Sequence, residues 1–344
     1  SGKRFKVIDY NDIYETQVDY TTYSSSVTGY DGEGQITSAL AYVTSEDMPV
    51  FYTLEGQDEL PLSTAFQNGL EKQNAQLQSI NLLTQESVPE DAQGVLIMAP
   101  VTDISADDAD KLIAYLDKGG KVLMTTAYME DFAEEMPNLQ KVLDYFGLAI
   151  EKGLVIEGDS CMYYQQPAYL LPDVAYDTLT KGISGEKYIF MPYAQGIRSE
   201  EKEDVTLTPL LTSSEASYSK RNMNQAQNYA KEDGDAEGPF DVGIHAEKKL
   251  EEGTAGLTLF TSENLFTDNA NSMVADANLT LFTNTVASMS DSEVSVSVPV
   301  KSYEASMITI NDGTAFTLGA LFMLLLPLGL LIAGILVWIE RRKR

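Results

Sequence analysis

The sequence predicts an α/β protein that is built on a parallel sheet and carries one membrane-spanning helix. Two observations predict the sheet: strand-like and helix-like segments alternate along the chain, and the strand-like segments are apolar throughout. Parallel strands show this continuous pattern because helices cover both faces of their sheet. The membrane helix is predicted by a run of 23 uncharged residues, Phe316–Trp338.

The first 45 residues have the weakest pattern. Arg4–Tyr10 alternates enough for a strand, and Gly34–Tyr42 is typical of a short helix. The stretch before this helix, residues 20–34, is rich in Ser, Thr and Gly and predicts a loop. The chain begins SGKRFKVIDYND, without a methionine, a signal peptide or a first membrane helix. We therefore expect residues 1–45 to be the tail end of a truncated N-terminal lobe.

Residues 46–150 show the clearest alternation of strand-like and helix-like segments and are predicted to form the parallel-sheet core. Ser105 with Asp108 forms a helix-capping pattern, and Gly147 is a stop signal. Apolar runs predict four strands, at Pro49–Leu54, Leu77–Leu82, Gly94–Ala99 and Lys121–Thr126. Helical spacing predicts three helices, at Pro61–Gln76, Ala106–Asp117 and Leu139–Phe146.

Residues 151–312 are predicted to form the mixed α/β remainder of the body. A helix is expected over Asp276–Ser288, and acidic loops over Ser199–Asp204 and Lys231–Gly238. Further strands are expected at Tyr188–Pro192, Val205–Leu211, Phe240–Ala246, Gly256–Thr261 and Val294–Val300.

Residues 313–339 are predicted to cross a bilayer, because 23 helical residues span about 35 Å. The anchor begins near Phe316, Pro327 is expected to kink it, and Trp338 lies where an interfacial aromatic belongs. The tail, residues 340–344, contains four basic residues: Arg341, Arg342, Lys343 and Arg344. The positive-inside rule then predicts a cytoplasmic C-terminus and an extracytoplasmic body on a cell membrane.

Composition excludes several classes of function. The chain has 23 Lys+Arg against 52 Asp+Glu, a net charge of −29, which argues against a nucleic-acid partner. One cysteine, Cys161, and one histidine, His245, exclude an internal disulfide and zinc sites with several Cys or His ligands. Cys161 is expected to be buried or half-buried. Phosphate-binding loops, dinucleotide fingerprints and serine-nucleophile elbows are absent from the sequence, so no metal, no cofactor and no catalytic residue is predicted.

The candidate ligand- or partner-binding residues come from the topology, because open parallel sheets bind ligands at the carboxyl ends of their strands. Seven residues follow the predicted strands and are proposed for this role: Glu55, Gln57, Asp58, Glu59, Asp103, Thr126 and Tyr128. Glu55 and Glu59 could act as paired carboxylates in acid–base chemistry. The alternative is that they are loop acids that cap the next helix.

Two further segments allow a functional and a structural interpretation. The Tyr- and Gln-rich stretch Met162–Pro172 could stack on a sugar, or it could be a strand edge with its connecting loop. The glycosylation sequon at Asn278 lies in a predicted helix and is interpreted as a chance match.

The order of these segments resembles the GldG-type auxiliary subunits of ABC transporters, which occur in gliding-motility machines and in ABC-2 export systems. The resemblance rests on GKRFKVIDYNDIY, GEGQITSALAYVT, VFYTLEGQDE, GVLIMAPVTDISADDADKLIAYLDKGGKVLM, EGPFDVGIHAEK, NLTLFTNTVASMS and the terminal LPLGLLIAGILVWIERRKR. In the third segment Gln57 takes the place that a histidine usually has. The resemblance implies a flavodoxin-like or amidotransferase-like sheet without catalytic machinery, held outside the membrane beside a permease.

Three functions follow as hypotheses. The first is a non-enzymatic extracytoplasmic subunit that binds a substrate, a wall-derived ligand or a partner, while a separate ATPase subunit drives the ABC permease. The second is a structural envelope component of a motility or secretion apparatus. The third is a glycan-acting enzyme that uses carboxylates at the sheet edge.

Overall fold

The computed structural model describes residues 4–19, 24–45, 48–185, 187–221, 223, 229–290, 301–303 and 312–343. Its strands are β1 Tyr14–Asp19, β2 Ser24–Tyr30, β3 Val50–Leu54, β4 Gln76–Ile80, β5 Ala92–Met98, β6 Lys121–Thr125, β7 Leu148–Ile150, β8 Leu154–Ile156, β9 Tyr169–Leu170, β10 Asp173–Val174, β11 Met191–Pro192, β12 Ile197–Ser199, β13 Val205–Thr212, β14 Tyr218–Lys220, β15 Ala236–Glu237, β16 Asp241–Lys249, β17 Thr254–Phe260 and β18 Lys301–Ser302. Its helices are α1 Tyr10–Ile13, α2 Gly32–Thr44, α3 Thr64–Lys72, α4 Ala106–Leu116, α5 Phe132–Glu135, α6 Pro137–Tyr145, α7 Asp268–Ser272, α8 Ala277–Met289, α9 Asp312–Ala320 and α10 Leu326–Lys343, with a π-helical turn, Leu321–Leu325, between the last two.

A ten-stranded sheet organises the body and confirms the predicted α/β class. Five neighbouring strands, in the order β4-β3-β5-β6-β17, are parallel to one another. Numbered along the chain, these five have the order 2-1-3-4-5, which is the flavodoxin-like order. The strands β16, β13 and β10 extend the sheet in antiparallel fashion beyond β17. The sheet therefore takes strands from both residues 46–150 and residues 151–312.

Apolar side chains on both faces of the sheet build two cores. On one face, Leu96 and Leu123 pack with Phe66 of α3 and Phe282 of α8. On the other face, Val95 and Ile97 pack with residues of α4, α5 and α6. Successive strand residues point to opposite faces, so strands buried on both faces must be apolar at every position. This explains why the runs GVLIMA and KVLMTT predict their strands correctly.

Helix α4 begins where its capping pattern predicts. The Ser105 hydroxyl accepts a hydrogen bond of 3.1 Å from the Asp108 backbone N–H, which satisfies one of the free donors of the first turn. At the end of the turn that follows α4, Gly119 has a φ of 88°, a left-handed conformation that favours glycine. The chain then enters β6.

Several predictions from the sequence were wrong, and one concerns residues outside the described part of the chain. Residues 4–9 form no strand; α1 starts at Tyr10 instead. Ser24–Tyr30, predicted as loop, is a strand because it pairs with β1 and with β18. Cys161 is exposed, not buried or half-buried, since it follows the turn that Asp159 stabilises. The predicted strand Val294–Val300 lies outside the described residues.

The C-terminal segment is helical, as predicted. The most apolar window of Phe316–Lys343 has a mean hydropathy of 2.8, and none of that window is buried in the fold. This is the one span among the described residues that is long and apolar enough to cross a membrane. The π-helical turn ends just before Pro327, which lacks the N–H that a regular helix needs there. The Arg342 guanidinium lies 5.2 Å from the centre of the Trp338 ring. Arg344 lies outside the described residues.

Candidate functional site

The predicted site residues lie at the carboxyl edge of the five parallel strands. The strand order reverses between β3 and β5, which are the first and third of these strands. In open α/β sheets such a switch point opens a crevice where ligands bind. The turn Glu55–Glu59 follows β3, and Asp103 follows β5. The structure therefore brings most of the predicted residues to the position where a ligand crevice is expected.

The turn Glu55–Glu59 is held by its own acids. One Glu59 carboxylate oxygen accepts hydrogen bonds from the backbone N–H groups of Gly56 at 3.0 Å and Gln57 at 2.9 Å. The Glu55 carboxylate accepts a hydrogen bond from the Ser79 hydroxyl on β4. Asp58 is exposed and has a φ of 55°. Both candidate carboxylates thus bond to donors of the protein itself, as loop acids do, but neither caps the next helix, since the N-cap of α3 is Ser63.

The same turn fills the switch point. The Gln57 carbonyl accepts hydrogen bonds from Val101 N–H at 3.0 Å and Thr102 N–H at 3.2 Å, and Leu60 N–H donates to the Met98 carbonyl at 2.9 Å. The Gln57 side chain is 5% exposed, and its Oε1 has no hydrogen-bond partner among the described residues. The chain therefore covers the crevice between β3 and β5 with its own backbone.

Asp103 caps a helix from a distance. Its carboxylate accepts hydrogen bonds from the Asn138 N–H at 2.9 Å, the Asn138 side-chain amide at 2.9 Å and the Leu139 N–H at 3.0 Å. These backbone donors belong to the first turn of α6, where an anion also complements the helix dipole. Asp103 thus ties the loop after β5 to α6.

Thr126 and Tyr128 follow β6 and have different surroundings. Thr126 is 1% exposed, and its hydroxyl has no hydrogen-bond partner in the described part of the chain. Tyr128 is half-buried and donates a hydrogen bond of 2.6 Å to the Glu130 carboxylate. Burial, and next that hydrogen bond, raise the pKa of Tyr128 well above its usual range, so the phenol stays protonated.

Tyr128 belongs to a group of tyrosines that we name the tyrosine surface. Three buried residues, Leu154, Ile156 and Ala168, form its apolar floor. Tyrosines that are half-buried pack on this floor or beside it: Tyr128, Tyr169, Tyr193, Tyr218 and Tyr229. They come from five separate segments of the chain.

Hydrogen bonds join three of these phenols through Gln166. The Tyr229 hydroxyl donates to the Gln166 side-chain oxygen at 3.1 Å, and the Gln166 amide donates to the Tyr193 hydroxyl at 3.3 Å. The Tyr193 hydroxyl in turn donates to the Tyr169 hydroxyl at 3.4 Å. Gln165 and Tyr193 have φ values of 61° and 57°, a strained conformation for side chains of this size.

Sequence reasoning found part of this surface and missed the rest. Met162–Pro172, with Gln166 and Tyr169, was singled out as a segment that could stack on a sugar, and Tyr128 was a candidate residue. Tyr193, Tyr218 and Tyr229 were missed. Their only sequence signal is the abundance of tyrosine, 19 in the chain, and no local spacing links residues so far apart.

Three further features of the described residues concern metal binding, the surroundings of the histidine and a surface depression. The described residues contain no group of three His, Cys, Asp or Glu side chains arranged to hold a metal ion. His245 lies on β16, and its Nδ1 is 2.9 Å from the Thr258 hydroxyl of β17. A depression of about 370 Å³ lies beside the N-terminus of α2, lined by Tyr14, Tyr30, Asp31, Glu33, Gly34, Lys301 and Tyr303.

Helix α2, next to this depression, exposes its large apolar side chains. Ile36 is 52% exposed and Leu40 is 60% exposed. The residues that α2 buries are small: Gly32, Gly34 and Ser38. Amphipathic helices normally bury the apolar stripe instead. The apolar face of α2, defined by Ile36 and Leu40, is therefore available to a partner.

The order of its strands and the apolar C-terminal helix define an α/β protein with one helix that is long and apolar enough to span a membrane. The chain belongs to the family of auxiliary components described as "ABC-type uncharacterized transport system", whose sequence profile matches residues 49–316. No curated protein matches the chain significantly. The family and the helix together fit a membrane-anchored auxiliary subunit.

A solved structure shows the same fold at very low sequence identity. The mmIFT52 N-terminal domain is similar with a TM-score of 0.53 and 13% identity, over 71% of this chain and 99% of that domain. A glutamine amidotransferase from Thermotoga maritima is similar with a TM-score of 0.40 and 9% identity, over 72% and 100% of the two chains. At such identities the likeness concerns the fold alone.

Proposed function

We propose that this protein is the extracytoplasmic auxiliary subunit of an ABC exporter, of the GldG type. It stands beside a polytopic permease and binds a ligand or partner there, while a separate subunit hydrolyses ATP. The observation that carries the proposal is the family match over residues 49–316, which ends where the apolar helix begins. The division into a sheet core, a remainder and an anchor belongs to this proposal.

The orientation rests on the charge at the end of the helix. Arg341, Arg342 and Lys343 form the last turn of α10. Basic residues next to a membrane span are retained on the cytoplasmic side. The body, which carries most of the 52 acidic residues, then lies outside a bacterial cell membrane.

The proposed role is binding and not catalysis. The two carboxylates that would serve an enzyme at the sheet edge accept hydrogen bonds from the turn itself and from Ser79. Ala99, which follows β5 at the switch point, has a φ of 47° and only a methyl side chain, so it supplies no nucleophile. The structural envelope component is the alternative, and ligand binding would separate it from the proposed subunit.

The apolar face of α2 is the surface that we propose contacts the permease. Strand β18 pairs with β2, and Tyr303 N–H donates to the Thr28 carbonyl at 2.7 Å. Ten residues after the end of β18, helix α9 begins at Asp312 and leads into the membrane span, so at most about 35 Å separates β18 from α9. Residue Tyr30 of β2 directly precedes Asp31, the N-cap of α2. A short connection therefore joins the strands that lead into α2 to the membrane helix, which supports a position of this face near the membrane.

Affinity purification from native membranes tests this proposal. We expect the full chain to bring down a polytopic permease and an ATPase with a phosphate-binding loop. The double substitution Ile36→Asp and Leu40→Asp should remove most of both, and it should change the free energy of unfolding by less than about 1 kcal/mol because both residues are exposed.

Leu83, which is 63% exposed and lies on the loop after β4, is the matched control. Leu83→Asp should leave the recovery of both partners unchanged. Recovery of neither partner with the wild-type chain would contradict the proposed function.

A further inference from the structure

The tyrosine surface differs from the buried tyrosines of the core. Tyr52, for example, is 7% exposed, lies within the sheet core and bonds to Asp91 at 3.0 Å. The members of the tyrosine surface are half-buried instead, and they lie on or beside an apolar floor with part of each residue exposed to solvent. Aromatic rings that are fixed from below and open above are a feature of ligand sites.

The polar groups of the surface are directional and uncharged. Gln166 connects the hydroxyls of Tyr229 and Tyr193, and each of these groups has one or more lone pairs or protons left to offer. The phenols of Tyr128, Tyr169 and Tyr229 are protonated and uncharged at neutral pH, since the usual tyrosine pKa is about 10 and burial or a neighbouring hydroxyl raises the pKa of each further. Apolar ring faces with hydroxyl and amide groups at their edges match a sugar ring, which has C–H groups on its faces and hydroxyls around it.

The charged groups near the tyrosine surface disfavour anionic sugars. Glu130 is bonded to Tyr128, and Glu157 on the loop after β8 is 2% exposed and bonded to the backbone N–H groups of Asp159 and Ser214. Lys220, next to the floor on β14, lies 2.9 Å from Glu232 and 3.6 Å from Asp235, which neutralise it. With a net charge of −29 on the chain, this environment repels phosphate, sulfate and carboxylate groups.

We propose that the tyrosine surface is a binding site for a neutral saccharide chain, held by stacking on Tyr128 and Tyr193 and by hydrogen bonds to Gln166 and the phenols. Tyr128 follows the carboxyl end of β6, while Leu154 and Ile156 of the floor belong to β8, in the separate three-stranded sheet β15-β14-β8. The inference rests on the proposed function, because it gives the chemical class of the extracytoplasmic ligand.

Binding is measured on the full chain in lipid nanodiscs by titration calorimetry. The probes are the neutral oligosaccharides cellohexaose, chitohexaose and mannohexaose, with oligogalacturonate as an anionic comparison. We expect at least one neutral probe to bind and oligogalacturonate not to bind. Tyr128→Ala and Tyr193→Ala should each weaken binding by about tenfold.

Matched variants separate binding from folding. Tyr176 is 94% exposed and lies outside the tyrosine surface, so Tyr176→Ala should bind as the wild type does. Tyr128→Phe and Tyr193→Phe keep the rings and the packing, and they should weaken binding by about threefold through the lost hydroxyl.

Two results would overturn the inference: no neutral probe binds, or the variants of Tyr128 and Tyr193 bind as tightly as Tyr176→Ala. Both results are independent of whether the permease and the ATPase are recovered with the chain. Loss of the saccharide site would therefore leave the proposed subunit role in place, and failure of the copurification would leave the saccharide site in place.

Discussion

Two regions of the molecule, the turn Glu55–Glu59 and the tyrosine surface, have opposite character. The turn Glu55–Glu59 lies at the switch point and is rich in carboxylates, and its acids bond to N–H groups and to a hydroxyl of the protein itself. The tyrosine surface takes Tyr128 from the segment after β6 and its floor mainly from β8, and its tyrosines remain partly exposed. A crevice position with many acids is thus occupied by the chain itself, while a separate aromatic surface remains partly exposed.

The comparison teaches that the position of a residue in a fold does not determine its role. The switch point predicts where a crevice forms, but Gln57 bonds to the backbone that follows β5, Leu60 bonds to Met98 at the end of β5, and the turn fills the crevice. The partners of a polar side chain decide whether it is free to bind a ligand. We therefore expect substitutions in the turn to alter stability and substitutions in the tyrosine surface to alter binding.

Asp103→Ala should have the largest effect on stability. The Asp103 carboxylate accepts three hydrogen bonds from α6, two from backbone N–H groups and one from the Asn138 side-chain amide. Without them we expect a loss of about 2–3 kcal/mol in the free energy of unfolding. Urea unfolding of the full chain in detergent, followed by circular dichroism, measures this loss.

The control is Asp107→Ala. Asp107 is 78% exposed and pairs with Lys111 at 2.6 Å on the surface of α4, so its loss should cost less than about 0.5 kcal/mol. Equal losses for the two variants would show that Asp103 has no special structural role.

Glu59→Ala should cost about 1–2 kcal/mol, because the backbone N–H groups of Gly56 and Gln57 lose their acceptor. Glu59→Gln keeps a side-chain oxygen and should cost less. The same urea titrations measure both variants. Saccharide binding should be unchanged in each, and weaker binding by the folded Glu59→Gln protein would place the turn in the ligand site.

Tyr128→Phe should cost about 1 kcal/mol at pH 7, through the lost hydrogen bond to Glu130. The pKa of Tyr128 is raised in the folded protein, so its contribution to stability is present below the unfolded pKa of about 10 and is lost as the pH rises through the folded value. Stability should therefore fall in strongly alkaline solution, and it should fall less in Tyr128→Phe. Urea unfolding at pH 7 and in alkaline buffer tests this, and equal falls would contradict it.

The parallel strands could be predicted from the sequence because burial on both faces leaves a local, continuous apolar pattern. The helix start at Ser105 could be predicted because its cap is formed within one turn. Strand β2 could not, since its Ser- and Thr-rich residues are mostly exposed and the strand is defined by pairing with β1 and β18. The sequence around β17 also gives no indication that this strand pairs with β6 in the sheet.

The site was harder to predict than the fold for the same reason. Glu55, Gln57 and Asp103 follow strands, so topology places them at the edge, but only the folded chain shows which donors each one meets. Tyr128 and Tyr193 are 65 residues apart in sequence and share one floor through tertiary packing. Spacing within a segment carries no information about such a contact.

Photocrosslinking in living cells tests the central claim, which is that this body stands beside a permease. A photoreactive phenylalanine at Leu40, on the apolar face of α2, should form an adduct with a polytopic membrane protein encoded with an ABC ATPase. The same group at Leu83 should form no such adduct. If Leu40 gave no adduct with a permease, or if Leu83 gave the same adduct as strongly, the proposed auxiliary role at this surface would be contradicted.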